Sequence, residues 1–263
     1  MKLRIITGRA GAGKSKLVLE TIAAQRFERQ QILLVPEHAT HEAELDLCRA
    51  LGDTASRDGE VLSFQSLATR VLSQTGGISD ITLDNGGKIL IMRRALQEVS
   101  SYLTVFSKPS QRPAFLRELV ALADELYAYK IAPSLLLQQV QDIPGAAGDK
   151  LRSTALLFGA YDARLHGGDF DARSKVQKLC DKLPNSDYLC GKDIYIDGFS
   201  YFNRTEEDII AAALKQANSV TVTLLGDDSD PQLFRNGIQQ RERLRRLAKD
   251  AGCSCEVENL VRN

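Results

Sequence analysis

An α/β frame interrupted by a block of helices is the fold class that this sequence predicts. Three observations carry that expectation. A strand-like run, a glycine-rich turn and a helix-like run follow one another between Lys2 and Phe27. Strand and helix signals then alternate to about Gln74 and resume at Asp193. From Lys88 to about Leu183 the apolar spacing is helical and strand signals are missing.

The elements follow in order. Lys2 to Thr7 is rich in isoleucine and loosely alternating, which predicts a strand. Lys14 to Phe27 carries Leu17, Val18, Ile22 and Ala23 at helical spacing. Gln31 to Val35 is a short apolar run, a second strand that Pro36 ends. Thr40 to Ala50 predicts a helix, with Glu42 and Glu44 where the helix dipole favours acids. Val61 to Ser63 predicts a third strand, and Gln65 to Gln74 a helix closed by Gly76 and Gly77. Inside the helical block, Phe115, Leu116, Leu119, Val120, Ala123, Leu126 and Tyr127 form one apolar stripe, and Pro133 marks another helix start. Asp193 to Asp197 predicts a strand ending in an acid, and Thr205 to Gln216 a helix. Ser219 to Leu225 alternates with β-branched residues, a strand. A basic helix from about Gly237 to Lys249 and a last strand around Glu256 to Glu258 complete the frame.

Composition sets limits. The 263 residues hold 34 basic and 34 acidic side chains, so no global basic field points to a polyanion, although a local basic groove stays open. No apolar stretch reaches about 18 residues, so no membrane span is expected. The apolar run from Leu3 is too short for a signal peptide, and a cytoplasmic protein is expected. The five cysteines read as reduced structural thiols. Cys253 and Cys255 form a C-x-C without a second pair at zinc-finger spacing.

Gly8-Arg9-Ala10-Gly11-Ala12-Gly13-Lys14-Ser15 satisfies G-x-x-x-x-G-K-[ST] in full. Its glycines let the backbone bend so that successive N–H groups point at phosphates, and the helix behind it adds a positive N-terminus. Lys14 can reach the β- and γ-phosphates, and the Ser15 hydroxyl can ligate Mg²⁺. A nucleoside triphosphate, ATP with magnesium, is the predicted ligand. The bland alternative is a chance match in an ordinary glycine turn, which the placement between strand and helix argues against. Asp197, at the end of the Ile194-Tyr195-Ile196 strand, is the predicted acid on the Mg²⁺ side; an acid capping the next turn is the plainer alternative.

The ordered set of runs GRAGAGKS, LLVPE, VLSFQSLATRVL, TGG and YIDGFSYF resembles the first RecA-like domain of superfamily I helicases of the UvrD type. It looks most like the N-terminal part of the AddB member of the AddAB helicase–nuclease family, over most of the chain. That resemblance implies a RecA-like P-loop domain built from residues 1–83 and 189–263, with a parallel sheet and helices on both faces. Residues 84–188 would be an inserted all-helical subdomain. The chain would be a fragment of a longer protein, with a second motor-like domain and a nuclease domain beyond Asn263. The iron–sulfur cluster of such proteins would lie in that missing region, on none of the five cysteines here. The implied function is an ATP-dependent helicase–exonuclease subunit in double-strand-break repair and recombination, working with single-stranded DNA and a second, AddA-like subunit.

In motor relatives, the segments after the second and third strands touch single-stranded DNA. The matching stretches are Pro36 to Thr40 and Ser63 to Ser66, with Thr40 for phosphates and Phe64 for base stacking; a core plug is the plainer reading of Phe64. His38 and His41 beside Glu37 and Glu42 superficially suggest a metal cluster, and an exposed helix start accounts for them better. The Arg241, Arg243, Arg245 and Arg246 cluster reads as a solvated helix face. Two departures bear on turnover. Gly198 stands where active motors carry a catalytic glutamate, and Glu206 or Glu207 replaces it only if the chain folds back. The run Leu224 to Asp228, with Gln232 after it, only loosely matches the motor's sensor segment. Binding with weak or absent hydrolysis is therefore expected, and no catalytic residue is assigned. The rival readings are a stand-alone P-loop kinase or nucleotide-metabolising enzyme, and an interaction module with a vestigial P-loop.

Overall fold

The computed structural model describes residues 2–25, 27–52, 55–77, 83–106, 112–140, 143–166 and 174–260. Strands β1 (Lys2–Gly8), β2 (Gln31–Leu34), β3 (Gly59–Leu62), β4 (Asp193–Ile196), β5 (Ser219–Leu225) and β6 (Ser254–Leu260) form one sheet in the order β3-β2-β4-β5-β1-β6. All five neighbouring pairs are parallel. Between the first three strands lie helices α1 (Lys14–Ala24), α2 (Thr40–Leu51) and α3 (Ala55–Asp58), the last of which has no counterpart in the sequence reading. Helix α4 (Phe64–Thr75) leaves β3.

Right-handed crossovers decide which face each helix covers. The chain moves one way along the sheet from β1 to β2 to β3, then returns through β4 and β5 to β6. Reversing direction sends the later helices to the opposite face. Accordingly, Val18 and Ile22 of α1 and Leu47 and Leu51 of α2 pack with Ile6, Leu33, Val35 and Tyr195. The other face joins Leu3, Ile5, Ile194, Ile196, Val220 and Val222 to α4 and to the helices that follow the helical block. Those are α9 (Lys175–Lys182), α10 (Arg204–Gln216) and α11 (Arg235–Asp250), through residues such as Leu67, Leu179, Ile210 and Leu244. Neighbouring residues of β1 thus feed two cores, which is why Ile5 and Ile6 are both fully buried. Side chains of this size stabilise the fold by about 1.5–3 kcal/mol each.

Two compact units divide the chain: residues 1–78 with 175–263, and residues 79–174. The second unit contains α5 (Asn85–Val99), α6 (Pro113–Ala128), α7 (Pro133–Gln139) and α8 (Gly145–His166). Prolines occupy the first turns of α6 and α7, where no backbone N–H is needed. The Asp84 carboxylate caps α5 by accepting from the Gly87 amide at 2.7 Å. Met92, Leu96, Leu116, Leu119, Leu157, Phe158 and Tyr161 close its core, and Tyr127 donates to Asp162 across α6 and α8.

The sheet-bearing unit resumes at Lys175, ahead of residue 189 where the sequence suggested it. Leu179 and Leu183 are fully buried against the sheet's core. Helical periodicity runs on through α9, and periodicity alone does not say which core a helix faces. The architecture is otherwise the α/β one implied by the resemblance, with a parallel sheet, helices on both faces and an all-helical insertion. Among the described residues, no helix is long and apolar enough to cross a membrane. Cys180 and Cys253 donate to the carbonyls of Thr205 and Leu214, and none of the five cysteines is in a disulfide.

Candidate functional site

The reversal of chain direction puts connections of opposite sense at the carboxyl ends of β1 and β5, where open α/β sheets form their ligand crevice. The Gly8–Ser15 loop rises from β1 at this point. Gly8 is glycine because of space: a Cβ there would stand 2.9 Å from the Leu260 carbonyl oxygen and 3.2 Å from the Ala12 methyl. Gly11 and Gly13 are glycines because of conformation, with φ of +73° and +89°. Apart from their immediate chain neighbours, no heavy atom lies within 4 Å of where their Cβ atoms would be, so the loop is open there. Among the described residues no side chain caps α1, and its first turn carries no acid. Its leading N–H groups are left for an anion, at the positive end of the helix dipole.

The Lys14 ammonium curls over this loop and donates to the carbonyls of Gly8 and Arg9, each at 2.9 Å. Burial lowers its pKa from the ordinary lysine value, and the negative charge of Asp197 works against that shift. Asp197 follows β4, two strands from β1, a lateral distance of about 10 Å. Its amide donates to the Leu34 carbonyl at 2.9 Å, which pins the residue to the end of β2. Its carboxylate accepts from the hydroxyl of Thr223 on the intervening strand β5. Alternation carries Tyr195, Asp197 and Thr223 toward the α1 face, while Ile194, Ile196 and Val222 face the other core. Ser15 is exposed on the first turn of α1.

A hydroxyl, a carboxylate and a phosphate oxygen are the hard ligands that Mg²⁺ takes, with waters filling the rest of its octahedron. Ser15 and Asp197 fit that donor set. Among the described residues no group of three or more His, Cys, Asp or Glu side chains forms a protein cage for a metal. This holds for His38, His41, Glu37 and Glu42, the superficial cluster in the sequence.

Four sequence-named groups are occupied elsewhere. The Phe64 ring is only 5% exposed and packs against Phe199, with centroids 5.3 Å apart. The Thr40 hydroxyl donates to the Glu37 carbonyl at 2.9 Å within its own turn. Glu206 accepts from the Asn203 amide in a reciprocal cap of α10, and burial raises its pKa. Glu207 is buried and paired with Arg204 and Arg243. Gly198, next to Asp197, has a φ of +81°.

Sequence reasoning missed Thr223, for which strand alternation was the available signal. It also missed the tie between Arg9 and the loop that follows β5. Arg9 Nε donates to Asp227 Oδ2 at 2.5 Å, and the guanidinium lies 5.7 Å from the centroid of the Phe234 ring. The partners are 218 residues apart, a pairing that no local pattern announces. A separate groove of about 1030 Å³ follows the edge strand β3, lined by residues including Glu60, Arg70, Tyr188 and Lys192. Its lining contains no residue of the Gly8–Ser15 loop.

Comparison with known proteins gives a consistent result. The family model described as "ADDB, N-terminal" matches residues 5–263. A protein of Clostridioides difficile, named as the B-type subunit of an ATP-dependent helicase/deoxyribonuclease, is 34% identical over 239 residues, covering 87% of this chain and 20% of that protein. The protein of the same name from Desulforamulus reducens is 37% identical, covering 86% of this chain and 20% of its own length. One from Bacillus mycoides is 29% identical over 99% of this chain, which corresponds to 24% of the relative. The chain therefore spans between a fifth and a quarter of these relatives.

Proposed function

The chain belongs to the AddB N-terminal family, and from that membership we propose that it is the ATP-binding, helicase-like region of an ATP-dependent helicase–deoxyribonuclease subunit. The observation that carries the reading is the loop after β1. Its left-handed glycines, uncapped helix terminus and inward lysine are the parts a triphosphate requires. In this reading the amides of residues 9–15 cradle the phosphates and Lys14 neutralises the β- and γ-oxygens. Ser15 and Asp197 hold Mg²⁺, directly or through water, and Thr223 orients the Asp197 carboxylate. Bound Mg²⁺ supplies charge neutralisation on the phosphate oxygens.

Hydrolysis is weak or absent in this reading, because no acid follows Asp197 and both nearby glutamates are engaged on α10. The sheet unit acts as the RecA-like domain and residues 79–174 as its inserted helical subdomain. We extend the proposal to the whole protein on its relatives' names. It acts in the cytoplasm on DNA ends in break repair and recombination, beside an AddA-like subunit, with single-stranded DNA as ligand and any iron–sulfur cluster outside this chain. Segments 36–40 and 63–66 reach DNA through backbone groups and Thr40, with Phe64 holding the second segment from beneath.

Equilibrium titration with labelled ATP and Mg²⁺ tests the nucleotide site. Lys14→Ala should weaken binding about tenfold or more, losing a charge-assisted contact of about 1.5–3 kcal/mol, with an unchanged circular dichroism spectrum. Equal affinity in the two proteins would refute the assignment. Rapid phosphoryl transfer to small acceptors would instead favour a kinase.

A further inference from the structure

The Arg9 side chain leaves the phosphate loop for the connection between β5 and α11. The guanidinium is half exposed, yet three groups of the β5–α11 loop converge on it. Asp227 Oδ2 accepts from Nε at 2.5 Å, Ser229 Oγ lies 3.5 Å from Nη2, and the Phe234 ring faces it. Asp227 also organises its own loop by accepting from the Ser229 amide at 2.8 Å. The Ser229 hydroxyl and amide, then Arg9, push the Asp227 carboxyl down to about 2. It is thus ionised across any ordinary assay range. The far side of the loop is tied separately: Arg241 on α11 donates to both Asp228 oxygens at 2.9 and 3.0 Å.

The same residue is held through its main chain by the lysine expected to meet phosphate. Lys14 Nζ donates to the Arg9 carbonyl. A triphosphate that takes the ammonium must draw it off the carbonyls of Gly8 and Arg9. The freed peptide groups can then turn, and the guanidinium feels several phosphate charges against the single charge of Asp227. An arginine fork binds phosphate at least as well as carboxylate. Both effects pull Arg9 the same way, away from Asp227.

Resting on the reading of Gly8–Ser15 as a triphosphate site, we propose that Arg9 is a positioning residue that couples this site to residues 226–234. Triphosphate on the loop weakens the Arg9–Asp227 pair and loosens the segment that Asp227 organises. Linkage requires the reverse as well: a segment already released favours triphosphate by the same factor. An ion pair this exposed carries a coupling of a few-fold, not orders of magnitude.

Hydrogen–deuterium exchange across residues 226–234 of the full chain, with and without a non-hydrolysable ATP analogue and Mg²⁺, reads the coupling directly. In the wild-type protein the analogue should speed exchange there about threefold or more. In Arg9→Ala the segment should exchange fast from the start and ignore the analogue. Asp227→Asn should tighten analogue binding about threefold in the wild-type background and leave it nearly unchanged in Arg9→Ala. An equal gain in both backgrounds would mean through-space charge alone, and the coupling would be wrong. It would also be overturned by an unaltered segment in wild-type protein saturated with analogue, or by a response that survives in Arg9→Ala. Should Arg9→Ala not fold, the exchange response of Asp227→Asn decides in the same way: a persisting response overturns the coupling and its loss supports it. Failure of the underlying site shows separately, as no analogue binding by the wild-type protein in the prior titration, and the coupling falls with it.

Discussion

Gly198 shows how much one backbone angle decides. It follows the Asp197 carboxylate at the place where a hydrolytic motor would need a second acid. Its φ of +81° lies in the left-handed region, and the ring of Pro36 sits 3.4 Å from where a Cβ would be. A side chain there is strained by about 1–2 kcal/mol, so on the proposed reading one substitution does not set a second acid in place. Gly198→Glu should lower unfolding free energy in urea by about that amount. It should leave ATP turnover within about threefold of wild type, because a glutamate forced onto this backbone does not reach an aligned position. A rise of two orders of magnitude in the rate would show that only the carboxylate was lacking. The sequence makes Gly198 visible as a departure. It does not show the left-handed backbone angle at that position, since no residue pattern around Gly198 announces it.

Helix α11 illustrates what element-level reading finds and what it cannot. Its amphipathic spacing and basic face are legible, and the predicted start at Gly237 is close to the observed Arg235. Why a glycine sits in its first turn is a matter of packing. A Cβ on Gly237 would fall 1.7 Å from the Leu225 carbonyl oxygen, so the helix lies directly on the end of β5. Gly237→Ala should therefore destabilise the protein by about 1–3 kcal/mol, although alanine is the better helix former. A thermal melt checks the sign: a higher Tm would mean that propensity outweighs the contact. The same limit explains α9, whose helical period was clear and whose allegiance was not. Leu179 and Leu183 belong to the sheet's core, and no one-dimensional pattern distinguishes that from the core of the helical unit. The strands read more easily, because runs such as Ile32-Leu33-Leu34 are buried on both sides and leave little ambiguity.

Taken whole, the chain is two compact units on one polypeptide, and they need not fail together. Phe158 is 3% exposed within the core of the helical unit and meets the Tyr127 ring edge-on. Phe158→Ala should cost that unit about 3–5 kcal/mol while ATP affinity, measured at a temperature below its melting, stays within about twofold. Calorimetry should then resolve two transitions where two-state behaviour no longer holds. A single transition shifted as one, with affinity lost, would mean that the units share one cooperative core. The division into an interrupted sheet and a helical block was readable from periodicity. The order of the strands was not, because parallel neighbours meet through long crossovers and no local pattern records them.

That strand order has a consequence for how the protein is born. Of the six strands, β1 leaves the ribosome first, but it lies between β5 and β6, so both of its hydrogen-bonded neighbours are made last. Arg9 and Asp227 are separated by 218 residues, which takes roughly 10–40 s to synthesise. Through that interval the nascent Gly8–Ser15 loop follows an apolar strand whose native partners are not yet made. The Gly8–Ser15 loop is consequently made early, directly behind β1, while the strands on either side of β1 are made last.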